Sequence, residues 1–190
     1  MVSGCRYKEE NRLWYAGIMS RAFVKESDED HSAGELPERP LSTHANYVTP
    51  AGLEQLQVRV RQLQERRERL SAQALEDPME KQQLREVERD FRYFKAQLER
   101  AIVVDPAGQP QELVHFGAVV RIVDEDGKTH RFSIVGDDEA DVAAGKISWA
   151  SPLAKAMIGS RVGDTVIWHR PAGDTEVEIA EVFYPKTGAG

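Results

Sequence analysis

Hydrophobic residues recur at alternating intervals of three and four between residues 53 and 101. The first run of this pattern contains Leu53, Leu56, Val60, Leu63, Arg67, Leu70 and Ala74. The second run contains Leu84, Val87, Phe91, Phe94, Leu98 and Ala101. Such intervals are typical of helices that pack side by side along a heptad seam, and Arg67 is the one charged residue in either run. The pattern therefore predicts two long helices.

The two runs fall out of phase at residues 75–80. Pro78 cannot lie inside a helix without removing a backbone hydrogen bond, and it disfavours helical backbone at the preceding residue. Asp77 suits the N-cap of a second helix, Pro78 suits its first position, and Glu80 completes the Asp-x-x-Glu spacing of a capping box. Thr49 and Pro50 similarly suit the start of the first helix. We therefore predict two antiparallel helices of about 25 residues, each on the order of 35–40 Å long, joined by a tight turn.

Beyond residue 112 the pattern changes, because β-branched and aromatic residues alternate with polar ones. This alternation predicts strands over 113–123, 129–135, 165–169 and 176–183. Ser151 and Pro152 suit the cap and first position of a short helix over 151–158. The predicted fold class is α+β, with an N-terminal antiparallel coiled-coil hairpin followed by a small antiparallel β-sheet domain that carries a short helix.

The remaining segments are polar. Residues 1–46 contain an acidic run at 26–30 and two prolines, and we expect a disordered tail there. Residues 105–112 are rich in Pro, Gly and Gln, and they predict a linker. The predicted domains are therefore the coiled coil over 47–104 and the sheet domain over 113–186.

Composition narrows the class of protein. The chain of 190 residues has a net charge of −7, which argues against a free-standing nucleic-acid binder. Residues 53–103 carry 11 basic and 10 acidic side chains, whereas residues 105–190 carry 8 and 14. The single cysteine excludes an internal disulfide. No apolar run has the length of a membrane span and the start does not read as a signal peptide, so we expect a cytoplasmic protein without a membrane partner.

Four stretches of the C-terminal part resemble GreA/GreB transcription elongation factors. They are residues 114–118, 126–136, 147–154, and 162–164 with 171–173 following. The segment Tyr47-Val-Thr-Pro-Ala-Gly52 is similar to the start of the family's coiled coil, and residues 126–132 resemble the GreB branch. Residues from Met19 onward resemble the natural start of that branch, which would make residues 1–18 an upstream extension.

The resemblance implies a monomeric factor that binds RNA polymerase. In the family, the C-terminal domain has a fold like that of FK506-binding proteins and docks on the rim of the polymerase secondary channel. The helical tip enters the channel and stimulates cleavage of backtracked transcripts, which rescues arrested complexes. The docking residues carry over to Ser151, Pro152, Ile147, Trp149 and Leu153. A helix cap alone also requires a serine and a proline at 151 and 152, and both roles can coexist.

The resemblance also assigns chemistry to the tip. Family members place tip carboxylates beside the weakly held second Mg²⁺ of the polymerase and the attacking water. Here the carboxylates are Asp77, Glu80 and Glu76, while Lys81 replaces the asparagine of the family's motif. The factor is thus expected to bind no cofactor alone, to share Mg²⁺ with the polymerase, and to be no enzyme by itself. Alternatively, Asp77 and Glu80 only cap a helix.

Each predicted arm is about one heptad shorter than in typical family members. Seven residues correspond to about 10 Å of helix, far more than metal coordination tolerates. Two functions therefore stay open: a factor that stimulates cleavage, and a short-armed regulator that occupies the same channel without stimulating cleavage. A prolyl isomerase on the same fold is disfavoured, because few aromatic residues are available to line a proline pocket.

Charged stretches lie outside these motifs as well. An arginine stripe on the first predicted helix comprises Arg59, Arg61, Arg66, Arg67 and Arg69. The resemblance implies that the stripe contacts the nascent RNA 3′ end in the complex. The alternative is a solvated face with ion pairs such as Glu65 to Arg69. For residues 136–141 the sequence predicts a solvated acidic loop and no metal site.

Overall fold

A computed structural model describes residues 36–73, 77–171 and 173–185. Its helices are α1 (Pro50–Ala72), α2 (Pro78–Glu99) and α3 (Pro152–Met157). Its strands are β1 (Asn46–Val48), β2 (Ala101–Val103), β3 (Val119–Asp124), β4 (Thr129–Val135), β5 (Lys146–Ser148), β6 (Thr165–Trp168) and β7 (Thr175–Phe183). Helices α1 and α2 form an antiparallel helical pair, and β3 to β7 form one sheet.

Both helices of the pair begin where the caps in the sequence predict. Thr49 Oγ1 accepts a hydrogen bond from Gly52 N at 2.9 Å, and Asp77 Oδ1 accepts one from Met79 N at 2.9 Å. Proline follows each cap, where its missing N–H removes no helical hydrogen bond. At 23 and 22 residues the helices are about 33–35 Å long. None of the described helices combines the length and apolar character that crossing a membrane requires.

The contacts within the helical pair follow the predicted heptad positions. Leu56, Leu63 and Val87 are 4–5% exposed. The charged seam residue Arg67 places its guanidinium 4.6 Å from the centroid of the Phe91 ring on α2. A cation over an aromatic face is attracted by the negative face of the ring, so the charge fits the seam without burial. Supercoiling of the pair as a coiled coil stays a prediction.

The sheet is mixed, so the prediction of an antiparallel sheet is wrong in one respect. The strand order is β5-β4-β3-β7-β6, and every neighbouring pair is antiparallel except β4 and β5, which are parallel. The chain crosses over through residues 136–145 and returns to the level of Ser133 before β5 begins. Strand β3 also begins later than predicted, since Gly117 has a φ of 85° that an extended strand does not accommodate.

The core of the sheet domain lies between the sheet and α3. Alternate residues of β3 and β7 point to the same face, and the first turn and the end of α3 pack on them. The cluster comprises Val114, Ala118, Val120, Ile122, Ile134, Ile147, Leu153, Ala154, Met157, Val177, Ile179 and Tyr184. This burial is what holds the turn before α3 in place.

The structure differs from the predicted disordered tail in residues 36–46; residues 1–35 lie outside the described part. The guanidinium of Arg39 lies 3.9 Å from the centroid of the Tyr93 ring and 3.6 Å from Asp90 Oδ1. Strand β1 pairs in parallel with β2 at the end of the helical pair opposite to Asp77. These partners lie about 50 residues away along the chain, so local composition could not indicate them.

Tyr184 joins the end of β7 to the segment before β3. Its hydroxyl donates a hydrogen bond to Leu113 O at 2.6 Å and accepts one from His115 N at 2.9 Å. Burial raises the pKa of Tyr184. Since the folded pKa lies above the unfolded value of about 10, the stability from the neutral hydroxyl is present below pH 10 and is lost as the pH rises through the folded pKa.

Replacing Tyr184 with Phe should therefore lower the free energy of unfolding by about 1–3 kcal/mol at pH 7, because two backbone groups lose a partner. Urea denaturation at pH 7 and at pH 11 measures the effect. The difference between wild type and variant should shrink at pH 11, and an undiminished difference there would contradict this role of the hydroxyl.

Candidate functional site

Two of the three predicted tip carboxylates, Asp77 and Glu80, lie in the described part of the chain at the tip of the helical pair. Glu76 lies outside the described residues. Asp77 is exposed and uses Oδ1 to cap α2, while Glu80 in the first turn is half-buried. In the described part of the chain, Glu80 makes no return bond to Asp77 N, so only half of the predicted capping box forms. Asp77 Oδ2 and both Glu80 oxygens therefore remain available to a ligand.

The donor set at the tip fits a divalent cation only in part. Carboxylate oxygens are the ligands that Mg²⁺ prefers, but the ion takes six of them in an octahedron. Among residues 36–73, 77–171 and 173–185, no three His, Cys, Asp or Glu side chains are grouped as a metal site. Asp77 and Glu80 by themselves therefore supply too few ligands to fill the coordination shell of such an ion.

The turn before α3 separates the five predicted docking residues into two groups. Pro152 is exposed, and Ser151 Oγ caps α3 by accepting a hydrogen bond from Ala154 N at 3.3 Å. In contrast, Ile147 and Leu153 are only 8% and 5% exposed and belong to the core. The assignment of these two as contact residues is therefore wrong in this structure, because a buried side chain supports the turn from below and does not reach a partner.

Trp149, the fifth docking candidate, is half-buried beside this turn. The centroid of its ring lies 5.1 Å from that of Tyr47 and 6.0 Å from that of His44, edge to face in both cases. Its Nε1 is buried and has no hydrogen-bond partner among the described residues. Trp149 therefore joins the chain segment before α1 to the sheet domain. Pro152 and Ser151 are more accessible than Ile147 and Leu153 in the turn before α3.

The arginine stripe on α1 also divides. Arg59 and Arg67 lie over phenylalanine rings of α2, 5.5 and 4.6 Å from the ring centroids. Arg66 and Arg69 are exposed, and the ion pair expected between Glu65 and Arg69 is not formed in the described part of the chain. Arg66 and Arg69 are thus better placed to contact a phosphate backbone than the two arginines over the phenylalanine rings.

The acidic turn Asp137–Glu139 differs from the solvated loop that the sequence predicts for residues 136–141. It contacts the base of the helical pair, the end at which β1 and β2 lie. Asp138 accepts hydrogen bonds from Tyr93 Oη at 3.0 Å and from Gln97 Nε2 at 2.7 Å. Burial and the nearby Asp138 carboxylate raise the pKa of Tyr93, so its hydroxyl remains a donor at neutral pH.

The neighbouring carboxylates of the acidic turn have partners as well. Glu139 Oε2 accepts a hydrogen bond from Thr49 Oγ1, the N-cap of α1, at 2.7 Å, and Glu139 Oε1 lies 3.5 Å from Lys146 Nζ. Asp137 accepts a hydrogen bond from Ser148 Oγ of β5. The turn thus bonds to both helices and to the edge strand of the sheet, which explains why its charges are not left in solvent.

Known proteins match most of the described chain. Residues 109–184 match the family model for the C-terminal domain of GreA/GreB transcription elongation factors. Transcription elongation factor GreB of Neisseria meningitidis serogroup B is 40% identical over 155 residues, covering 74% of this chain and 95% of that protein. GreA of Alkalilimnicola ehrlichii is 46% identical over 100 residues, covering 52% and 63%. A solved GreA/GreB factor from Nitrosomonas europaea, 25% identical, covers 73% and 98% with a TM-score of 0.37.

Capping and ligand binding by Asp77 can be separated by substitution. Asn is as good an N-cap as Asp, so Asp77→Asn should leave amide hydrogen exchange in the first turns of α2 unchanged. Asp77→Ala removes the bond to Met79 N and should accelerate that exchange about fivefold, corresponding to about 1 kcal/mol. Equal exchange in the two variants would mean that Asp77 does not cap α2.

Proposed function

This chain belongs to the GreA/GreB family of transcription elongation factors, and from that premise we propose that it binds RNA polymerase at the rim of the secondary channel and inserts the tip of the helical pair to stimulate cleavage of backtracked transcripts. The observation that carries the proposal is the tip itself. Asp77 and Glu80 lie at the far end of helices about 33–35 Å long and keep carboxylate oxygens without a partner in the described residues.

At the tip, Asp77 and Glu80 would hold a Mg²⁺ ion jointly with the polymerase. When bound, such an ion stabilises charge on the attacking and leaving oxygens of phosphodiester hydrolysis. Asp77 is oriented for this role, because its Oδ1 is fixed by Met79 N and Oδ2 remains free. Glu80, which does not complete the capping box, has both oxygens available to orient or deprotonate a water molecule.

Docking is assigned to the turn before α3. Pro152 offers an exposed, rigid surface at the first position of the helix, and Ser151 fixes the start of α3 by capping it. Ile147 and Leu153 support this turn from the core. On the helical pair, Arg66 and Arg69 are exposed and would contact the phosphates of the extruded RNA 3′ end with no preference for sequence.

The alternative function is that of a channel regulator that binds the polymerase without stimulating cleavage. It is favoured by the short arms that the family resemblance implies, since one missing heptad on each arm corresponds to about 10 Å of reach. Stimulation of cleavage would then require the sheet domain to dock about 10 Å deeper in the secondary channel. The two functions share the docking surface and differ only in where the tip ends.

A transcript-cleavage assay on stalled elongation complexes separates the two functions. The wild-type factor should accelerate cleavage, and Asp77→Asn combined with Glu80→Gln should return the rate to that of the polymerase alone. Both substitutions keep the shape of the side chains and the cap, so polymerase binding should be unchanged. A wild-type factor that binds but gives no acceleration would assign the chain to the regulators.

Docking through Pro152 is tested by binding measurements with purified polymerase. Pro152→Glu places a charge on the proposed surface at a helix position that tolerates Glu, so the fold should be retained. The dissociation constant should rise at least about tenfold, or about 1.4 kcal/mol. Ala143→Glu, on an exposed turn before β5, is the matched control and should bind like wild type; equal affinity of the two variants would move the docking surface elsewhere.

A further inference from the structure

The acidic turn is the contact through which the sheet domain touches both helices of the pair. Asp138 bonds to Tyr93 and Gln97 of α2, and Glu139 bonds to the cap residue Thr49 of α1. Gln97 is 2% exposed and the Glu139 side chain is 6% exposed, so these bonds are partly shielded from water. Shielded, charge-assisted hydrogen bonds are stronger than exposed ones, and they fix both partners.

Two glycines allow the acidic turn to approach this closely. A Cβ atom built on Gly52 would lie 2.6 Å from Glu139 Oε2, and one built on Gly136 would lie 2.5 Å from Tyr47 O. Neither glycine has a positive φ, so backbone conformation does not require glycine at these positions. Gly52 also lies inside α1, where glycine costs about 1 kcal/mol relative to alanine. Close contact with the acidic turn is the feature that accounts for it.

We propose that Asp138 and Glu139 are positioning residues, which fix the direction of the helical pair relative to the sheet domain and thereby place the tip. A lever of about 33 Å that tilts by about 10° moves its end by about 6 Å. Ligation of a metal ion tolerates errors of tenths of an ångström. Contacts at the base of the helical pair therefore determine where Asp77 and Glu80 lie in the complex. This consequence rests on the proposed cleavage function, whereas the fixed direction of the helical pair relative to the sheet domain does not.

The fixed direction is tested on the free, full-length protein by the distance between two spin labels. Cysteines at Ala72 and Thr165, both exposed, carry the labels after Cys5→Ser. The parent protein should give one narrow distance distribution, and Asp138→Ala with Glu139→Ala should broaden or shift it. Glu112→Gln removes an exposed carboxylate before β3 that pairs with neither labelled residue, and it should change nothing. A broad distribution in the parent, or an unchanged one in the double-alanine variant, would overturn the proposal.

Two further variants separate positioning from folding. Asp138→Asn with Glu139→Gln keeps the shape and can still bond to Gln97 and Thr49, so it should restore a narrow distribution. Gly52→Ala favours the helix but displaces the flexible end of Glu139, so it should broaden the distribution while leaving thermal stability equal or higher. A lower thermal stability of Gly52→Ala with an unchanged distribution would overturn the positioning role of Glu139.

The consequence for cleavage is measured at saturating factor. The double-alanine variant should lower the maximal rate about 10- to 100-fold, as misplacement of reacting groups does. The factor concentration for half-maximal stimulation should change less than threefold, and the Asn/Gln variant should recover most of the rate. An unchanged maximal rate together with a broadened distribution would overturn positioning of the tip. If wild type itself does not stimulate cleavage, the proposed function fails while the label distances still decide the fixed direction.

Discussion

A proline that no helix interior can accept determines the architecture of this chain. Because Pro78 must lie at a helix start, the two heptad runs cannot form one continuous helix and pack against each other as a pair. The free N–H groups of a helix start favour a capping residue, and Asp77 occupies that position directly before Pro78, at the end of the pair opposite to β1 and β2. The position of Pro78 thus accounts both for the helical pair and for the carboxylate at its tip.

Local rules predict the features that depend on neighbours in sequence. Thr49, Asp77 and Ser151 cap the three helices as expected, since the bonds that they accept come from residues two or three positions away. Such rules do not predict the contacts of the acidic turn, because Asp138 binds Gln97, 41 positions away along the chain, and Glu139 binds Thr49, 90 positions away. An acidic run has the same composition whether it is solvated or bonded to a distant helix.

Burial refines what the family resemblance implies for the candidate site. The motif around the turn before α3 includes Ile147, Leu153 and Pro152 as neighbours in sequence, yet only Pro152 is exposed. Ile147 and Leu153 belong to the core beneath the turn, and Pro152 alone of the three is exposed at the surface. A sequence pattern locates such a motif, whereas side-chain packing, which depends on strands far apart in sequence, decides which of its members reach the partner.

In the proposed function, the tip carboxylates complete a Mg²⁺ site inside the polymerase. Supplied ligands raise the affinity of a metal site, so they lower the Mg²⁺ concentration that the reaction needs. This role is measured by the Mg²⁺ dependence of transcript cleavage by the polymerase with and without saturating factor. The factor should shift the half-maximal Mg²⁺ concentration downwards, and a half-maximal concentration that is the same with and without the factor would exclude the role.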